Sequence, residues 1–263
     1  MKYPNLEKLV DIIAVLRSEN GCEWDREQTH KSLRPNMLEE AYEAVDAIDD
    51  GDIPNLREEL GDVLLQVVLH AQIAKDNNEF DIEDVAKELS DKLIHRHPHV
   101  FGNQKVHSTQ EILDAWDKLK KEEKTYRKSV LDGISKSQSA LMSAQKISKK
   151  VVKVGFEWDS VDSLKNCIKS EYKEFEEAVK EGNKDHMEDE MGDIFFATVN
   201  LARWYKIDAE QALLRANKKF MKRFKKMEEI KTKPFEDYTF DEFNELWGKA
   251  KIELAKETVH HLY

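Results

Sequence analysis

Residues 171–193 read EYKEFEEAVKEGNKDHMEDEMGD, and residues 40–62 read EAYEAVDAIDDGDIPNLREELGD. In both stretches two carboxylates three apart are followed, sixteen residues later, by two more three apart: Glu171 and Glu174 with Glu190 and Asp193, Glu40 and Glu43 with Glu59 and Asp62. Residues three apart on a helix share a face, so each stretch predicts two helices, each bearing a carboxylate pair, with a turn at Gly182 or in DDGDIP. Helices joined by a short turn pack antiparallel, and the two pairs then face each other across the seam. Four crowded carboxylates repel unless a cation sits among them. A solvated acidic face would account for one such pattern in a chain this charged, but not for its recurrence at the same spacing.

The rest of the chain repeats with it. Trp24-Asp25 recurs as Trp158-Asp159, Asp81 and Lys92 as Asp208 and Lys219, and Ser108, Glu111 and Trp116 as Thr239, Glu242 and Trp247, at offsets of 134, 127 and 131 residues beside 131 for the acidic motif. An ancestral unit was duplicated, with small loop insertions separating the copies. Leu6, Leu9, Ile12, Ile13 and Leu16 recur at helical spacing, and a helix over about 137–151 is their counterpart. Asp81 and the Ser108/Glu111 capping box mark further helix starts. No stretch alternates with strand period, and all five prolines fit helix boundaries. The expected fold is all-α, a tandem duplication of a four-to-five-helix bundle unit. The expected domains are 1–126 and 137–263, with a linker over 127–136 in the charged stretch KKEEKTYRKS.

Composition bounds the function classes. A length of 263 residues with 40% hydrophobic content suffices for one or two cored domains. The net charge of -11 opposes general nucleic-acid or anionic-membrane binding. Cys22 and Cys167 form no CxxC pair, and no run approaches a membrane span, so a cytoplasmic, soluble protein is expected.

Carboxylates without His or Cys partners are hard oxygen donors, suited to Mg²⁺ or Mn²⁺ and poor for zinc. Mg²⁺ usually completes its octahedron with waters and substrate phosphates, so an open site of this kind predicts a phosphate-bearing substrate. Each copy carries ExGD, Glu59 to Asp62 and Glu190 to Asp193. Glycine within a helix costs about 1 kcal/mol against alanine, so close helix packing or room for a ligand must explain it. Cations for the remaining phosphate charge stand four apart in both copies, Lys92 with Arg96 and Lys219 with Arg223, and Lys222 is adjacent. Trp116 and Trp247 follow in the same order, as core residues, base-stacking walls or both. No Walker-type glycine-rich loop is present.

On these residues the chain resembles the MazG-type nucleoside triphosphate pyrophosphohydrolases, whose acidic signature is EExxE, a spacer, then ExxD. The N-terminal copy matches in full, from Glu39-Glu40 to Glu43 and from Glu59 to Asp62; in the C-terminal copy Ser170 stands at the first position. NGCEWDREQT, RHPHVFG and GFEWD extend the resemblance over nearly the whole chain. It implies an all-α, Mg²⁺-dependent, homodimeric, cytosolic enzyme that cleaves NTPs or dNTPs to the monophosphate and pyrophosphate. It also implies that the C-terminal copy is the working site. There Glu171, Glu174, Glu190 and Asp193 would be catalytic and hold the metal, while Lys219, Lys222, Arg223 and Trp247, with Glu171, Glu174 and Asp193, would bind the nucleotide. Glu40, Glu43, Glu59 and Asp62 would be the metal ligands of the second copy, and Glu39, Lys92, Arg96 and Trp116 its further site residues. Glu174, Glu188 and Asp189 are the candidates for general base.

Two other readings compete. A di-iron or di-manganese carboxylate bundle needs Glu-x-x-His pairs on facing helices. Glu27-x-x-His30 and Glu257-x-x-His260 have that spacing but lie outside the repeated motif. The second is a non-catalytic helical nucleotide-binding module that keeps its acidic sites as relics.

Overall fold

A computed structural model of the chain describes residues 3–106, 108–123 and 128–260, and for 117, 120, 121 and 258–260 the backbone alone. Two compact units, Met1–Lys124 and Thr125–Tyr263, divide it. The expected boundary at residues 126 and 127 lies outside the described residues. Among those described, helices and turns account for all regular structure and no strand occurs, as the 3.6-residue periodicity predicts.

In the first unit α1 (Pro4–Leu16) and the short α2 (Glu23–Glu27) precede α3 (Arg34–Asp50) and α4 (Ile53–Asp76). Then come α5 (Ile82–Arg96), a single turn α6 (Pro98–Phe101) and α7 (Thr109–Glu122). Helices α3 and α4 form the antiparallel hairpin that the acidic spacing predicts. Gly51 adopts φ +69°, a left-handed conformation that costs a residue with Cβ and suits glycine, and Asp52 then caps α4 by accepting from the Asn55 N–H. Pro54 sits in the first turn of α4, where no N–H is needed. Ile13, Leu33, Val68, Leu69 and Ile73 form the core, packed round by Leu9, Val10, Leu16, Leu65 and Ile82, so α1 and α5 close over α4.

In the second unit α8 (Ala140–Val152), α9 (Val161–Glu181), α10 (Lys184–Trp204), α11 (Ala209–Ile230) and α12 (Phe240–His260) follow in order, with one 3-10 turn at Phe235–Asp237. The duplicated hairpin is α9–α10, and it turns in the same way: Gly182 has φ +69° and Asn183 caps α10 through the His186 N–H. The helix expected over about 137–151 starts at Ala140, because Ser139 accepts from the Met142 N–H and fixes the first turn there. It packs on α10 and on the start of α11 through buried polar groups. Ser148 donates to Asn200 Oδ1 at 2.6 Å, and Gln145 both accepts from Ala209 N–H at 3.0 Å and donates to the Ile207 carbonyl at 2.7 Å. Met227, Leu246 and Ala250 core the α11–α12 pair, with Phe235, Tyr238, Phe243 and Trp247 packed against them. The copies differ at their repeated Trp-Asp: Trp24-Asp25 lies in α2, whereas Trp158-Asp159 lies in irregular chain just before the Ser160 cap of α9.

Candidate metal centre

Each hairpin brings its carboxylates together across the seam. One oxygen from each of Glu171, Glu174 and Glu190 lies within 4.8 Å of the other two, and Glu40, Glu43 and Glu59 form the same group in the first unit. Asp193 and Asp62, each one turn further along, stand outside these triplets but within their field. Partial burial and then the charges of Asp62, Glu43 and Glu39 raise the pKa of Glu40, against a lowering hydrogen bond from Gln66. Glu59 is raised by desolvation first and then by Glu43, Asp62, Glu58 and Glu40. In the C-terminal unit Cys167 is the probe. Burial, the Glu171 hydrogen bond and the charges of Glu171, Glu174 and Asp193 push its thiol up to about 11. Opposing carboxylates that destabilise one another's charge are what a divalent cation would relieve.

The C-terminal carboxylates are held in a way the sequence reading missed. Cys167 Sγ donates to Glu171 Oε1 at 3.3 Å, Ser170 Oγ donates to Glu174 Oε1 at 2.9 Å, and His186 Nε2 meets Glu190 Oε1 at 3.1 Å. Every donor lies four residues before its carboxylate, one turn earlier on the same helix. The other nitrogen of His186 lies 3.1 Å from Glu181 Oε2. Two carboxylate acceptors call for two N–H groups and hence the imidazolium, and Glu181 first and then Glu190 raise the pKa of His186 accordingly. Glu190 keeps 12% of its side chain exposed, and its Oε2 is buried with no hydrogen-bond partner among the described residues. A buried carboxylate oxygen left without a donor is costly, and a cation at the triplet would satisfy it. An all-oxygen donor set of this charge fits a hard divalent ion.

The corresponding N-terminal positions are Asn36, Glu39 and Asn55, and among the described residues none hydrogen-bonds to Glu40, Glu43 or Glu59. Gln66, 4% exposed on α4, takes up Glu40 instead, and its own Oε1 is buried without a partner among the described residues. Ala197 stands at that position in the other copy. A Cβ built on Gly61 or Gly192 meets no atom within 4 Å, so close packing inside the chain does not explain either glycine, and both face open space.

The basic residues divide similarly. Lys219 and Lys222 are exposed on α11, and the Arg223 guanidinium lies 5.5 Å from the centroid of the Trp247 ring, which also packs on Phe220. Among the described residues no ion pair ties Lys219, Lys222 or Arg223 to a carboxylate. In the first unit Arg96 is bound in a fork by Glu123, with Nε to Oε1 at 3.0 Å, and Trp116 meets His97 edge-on, while Lys92 is exposed. Spacing alone made Lys92/Arg96 and Lys219/Arg223 equivalent; Glu123, 27 residues beyond Arg96, separates them. His30, offered by the di-metal spacing, pairs with His70 Nδ1 at 2.7 Å. The side chain of His260 lies outside the described residues.

Known proteins resemble this chain in sequence. The family model described as the MazG nucleotide pyrophosphohydrolase domain matches twice, over residues 28–101 and 159–227, each match containing one acidic hairpin. The Thermotoga maritima protein named nucleoside triphosphate pyrophosphohydrolase/pyrophosphatase MazG is 45% identical over 251 residues, spanning 93% of this chain and 95% of its own. The Escherichia coli K12 nucleoside triphosphate pyrophosphohydrolase is 43% identical over 233 residues, 86% of this chain and 88% of its own. Among solved structures, a mazG-related protein from Thermotoga maritima aligns with a TM-score of 0.39 at 31% identity, over 44% of this chain and 98% of that one.

Proposed function

The chain belongs to the MazG nucleotide pyrophosphohydrolase family, and from that premise we propose how its two carboxylate centres share the work. It is a nucleoside triphosphate pyrophosphohydrolase, a hydrolase of phosphorus anhydrides that releases pyrophosphate and the nucleoside monophosphate. The observation that carries the site assignment is the convergence of Glu171, Glu174 and Glu190 across the α9–α10 seam. With Asp193, they are the residues that would hold Mg²⁺, or Mn²⁺ in its place. When bound, that cation supplies charge neutralisation on the triphosphate oxygens and on the pyrophosphate leaving group.

The chain's own groups do the rest. Lys219, Lys222 and Arg223, unpaired among the described residues, offer positive charge to phosphates, and the Trp247 face, buttressed by Phe220 and Arg223, offers a surface for a nucleobase. Glu174, Glu188 or Asp189 accepts the proton of the attacking water. The C-terminal copy is the working site in this reading, because its carboxylates are oriented and, among the described residues, its cations make no ion pair, whereas in the first unit Arg96 is engaged by Glu123. Phe195, Phe196 and Tyr172 are exposed on the α9–α10 hairpin, which supports a homodimer that covers them. Both cysteines are free thiols, which supports a reducing, cytoplasmic setting. No helix among the described residues is long and apolar enough to cross a membrane.

The test is pyrophosphate release per chain with Mg²⁺, with thermal melts as folding control. Glu190→Gln and Asp193→Asn should lower the rate about 100-fold or more, and Glu59→Gln and Asp62→Asn should cost much less. Dead residue 59 and 62 variants beside fully active residue 190 and 193 variants would invert the assignment. Activity should vanish with a chelator and return with Mg²⁺ or Mn²⁺; recovery with zinc alone would contradict the hard-ligand argument.

A further inference from the structure

We propose that Cys167, Ser170 and His186 are positioning residues of the C-terminal carboxylate centre, each holding one oxygen of a carboxylate one turn ahead so that the group is preset for a divalent cation. The inference rests on the reading above, that this centre binds such an ion. Three separate hydrogen bonds, 3.3, 2.9 and 3.1 Å, each four residues long on its own helix, reach the three members of the triplet and occupy Oε1 in every case. Oε2 of each is thereby left for a ligand, and at Glu190 it is buried with no hydrogen-bond partner among the described residues. Glutamate side chains lose rotamer freedom when fixed. Carboxylates already held by donors lose less of it when the cation arrives, the ordinary role of hydrogen-bonding partners behind metal ligands.

The N-terminal copy is the internal control. Asn36, Glu39 and Asn55 occupy the three positions there and hold none of its triplet. Ser170, which breaks the family's acidic signature, is therefore a gain at its own site: a carboxylate that would repel its neighbours is replaced by a donor to Glu174. The sign of the effect separates positioning from simple electrostatics. Hydrogen-bond donors drain negative charge from the carboxylates, so at fixed geometry their removal would tighten cation binding; if they position the ligands, removal loosens it.

The experiment is Mn²⁺ binding to the full-length chain without nucleotide, with free Mn²⁺ followed by electron paramagnetic resonance. Cys167→Ala/Ser170→Ala/His186→Leu should raise the dissociation constant of the tighter site about tenfold. Cys167→Ser/Ser170→Thr/His186→Gln, which keeps a donor at each position, should return most of the affinity. If the first variant does not fold, His186→Leu alone decides, since that side chain is 40% exposed and its loss is tolerable, and it should weaken binding in the same direction. Unchanged or tighter binding in the donor-free variant would overturn the proposal. Glu190→Gln separates the two levels. If Glu190→Gln leaves Mn²⁺ binding intact, the cation reading itself has failed; if it abolishes the tighter site while the donor-free variant binds normally, positioning alone has failed.

Discussion

Glu242 closes the first turn of α12 on itself: it accepts from the Thr239 N–H at 2.8 Å, while Thr239 Oγ1 accepts from the Glu242 N–H at 3.3 Å. Lys233 reaches the same carboxylate at 2.7 Å. The Lys233 hydrogen bond, followed by those of Thr239, holds Glu242 down to about 2, below the ordinary 4.5. A depressed carboxylate stabilises the fold above its unfolded pKa, and the contribution disappears as pH falls through the folded one. Glu242→Gln should therefore melt below the parent chain at neutral pH, and the gap should close as pH drops from 4.5 towards 2. Melting curves over that range check it, and a gap that widens on acidification would refute it. The capping box was legible as Thr-x-x-Glu in the sequence; the Lys233 partner, brought in by the 3-10 turn, was not.

At the scale of the element, α10 shows how one helix serves two surfaces. Ile194, Ala197 and Val199 are buried, and Asn200 is tied to Ser148 and to its own Phe196 carbonyl, so that face is fixed against α8. Glu190 and Asp193 continue the rows of Ile194, Ala197 and Asn200 one turn earlier, while Gly192, two residues from Glu190, lies on nearly the opposite side. Gly192 is helical with free space where its Cβ would be. Gly192→Ala should thus stabilise the chain by about 1 kcal/mol through helix propensity, while lowering kcat/KM if the substrate uses that space. Denaturant unfolding and pyrophosphate release measure the two effects on one variant. A stabilised enzyme of unchanged kcat/KM would mean that glycine is not there for the substrate.

For the whole molecule, duplication has produced two hairpins of one design and unequal equipment. The N-terminal hairpin keeps the full acidic signature, yet Arg96 is locked by Glu123, and among the described residues Gln66 alone hydrogen-bonds a member of the triplet, Glu40. The C-terminal hairpin has lost one acidic position and gained orientation. The exposed Phe195 and Phe196 sit on this second hairpin, at 58% and 39% exposure, a large apolar surface for a free chain to show water. Light scattering should accordingly give twice the chain mass of 30.7 kDa, and Phe195→Glu should shift the population towards a single chain. A wild-type mass of one chain would remove the homodimer.

Sequence alone determined the fold class, the repeat and the acidic hairpins, because each is periodic. Apolar residues at helical spacing, carboxylates three apart and glycine at the turn are local rules that one helix or one turn enforces by itself. The three donors were readable in principle, as i and i+4 partners of the glutamates, but that spacing is common, and only side-chain rotamers decide whether a neighbour turns towards a carboxylate or into water. Contacts of long sequence separation were not readable at all. Arg96 with Glu123, Gln145 with Ile207 and Ala209, and Ser148 with Asn200 exist because packing of apolar faces sets the distance between helices. Tertiary structure therefore decided that Arg96 is engaged by Glu123 while among the described residues no ion pair ties Arg223, and which carboxylates are held, since both depend on neighbours that no local pattern specifies.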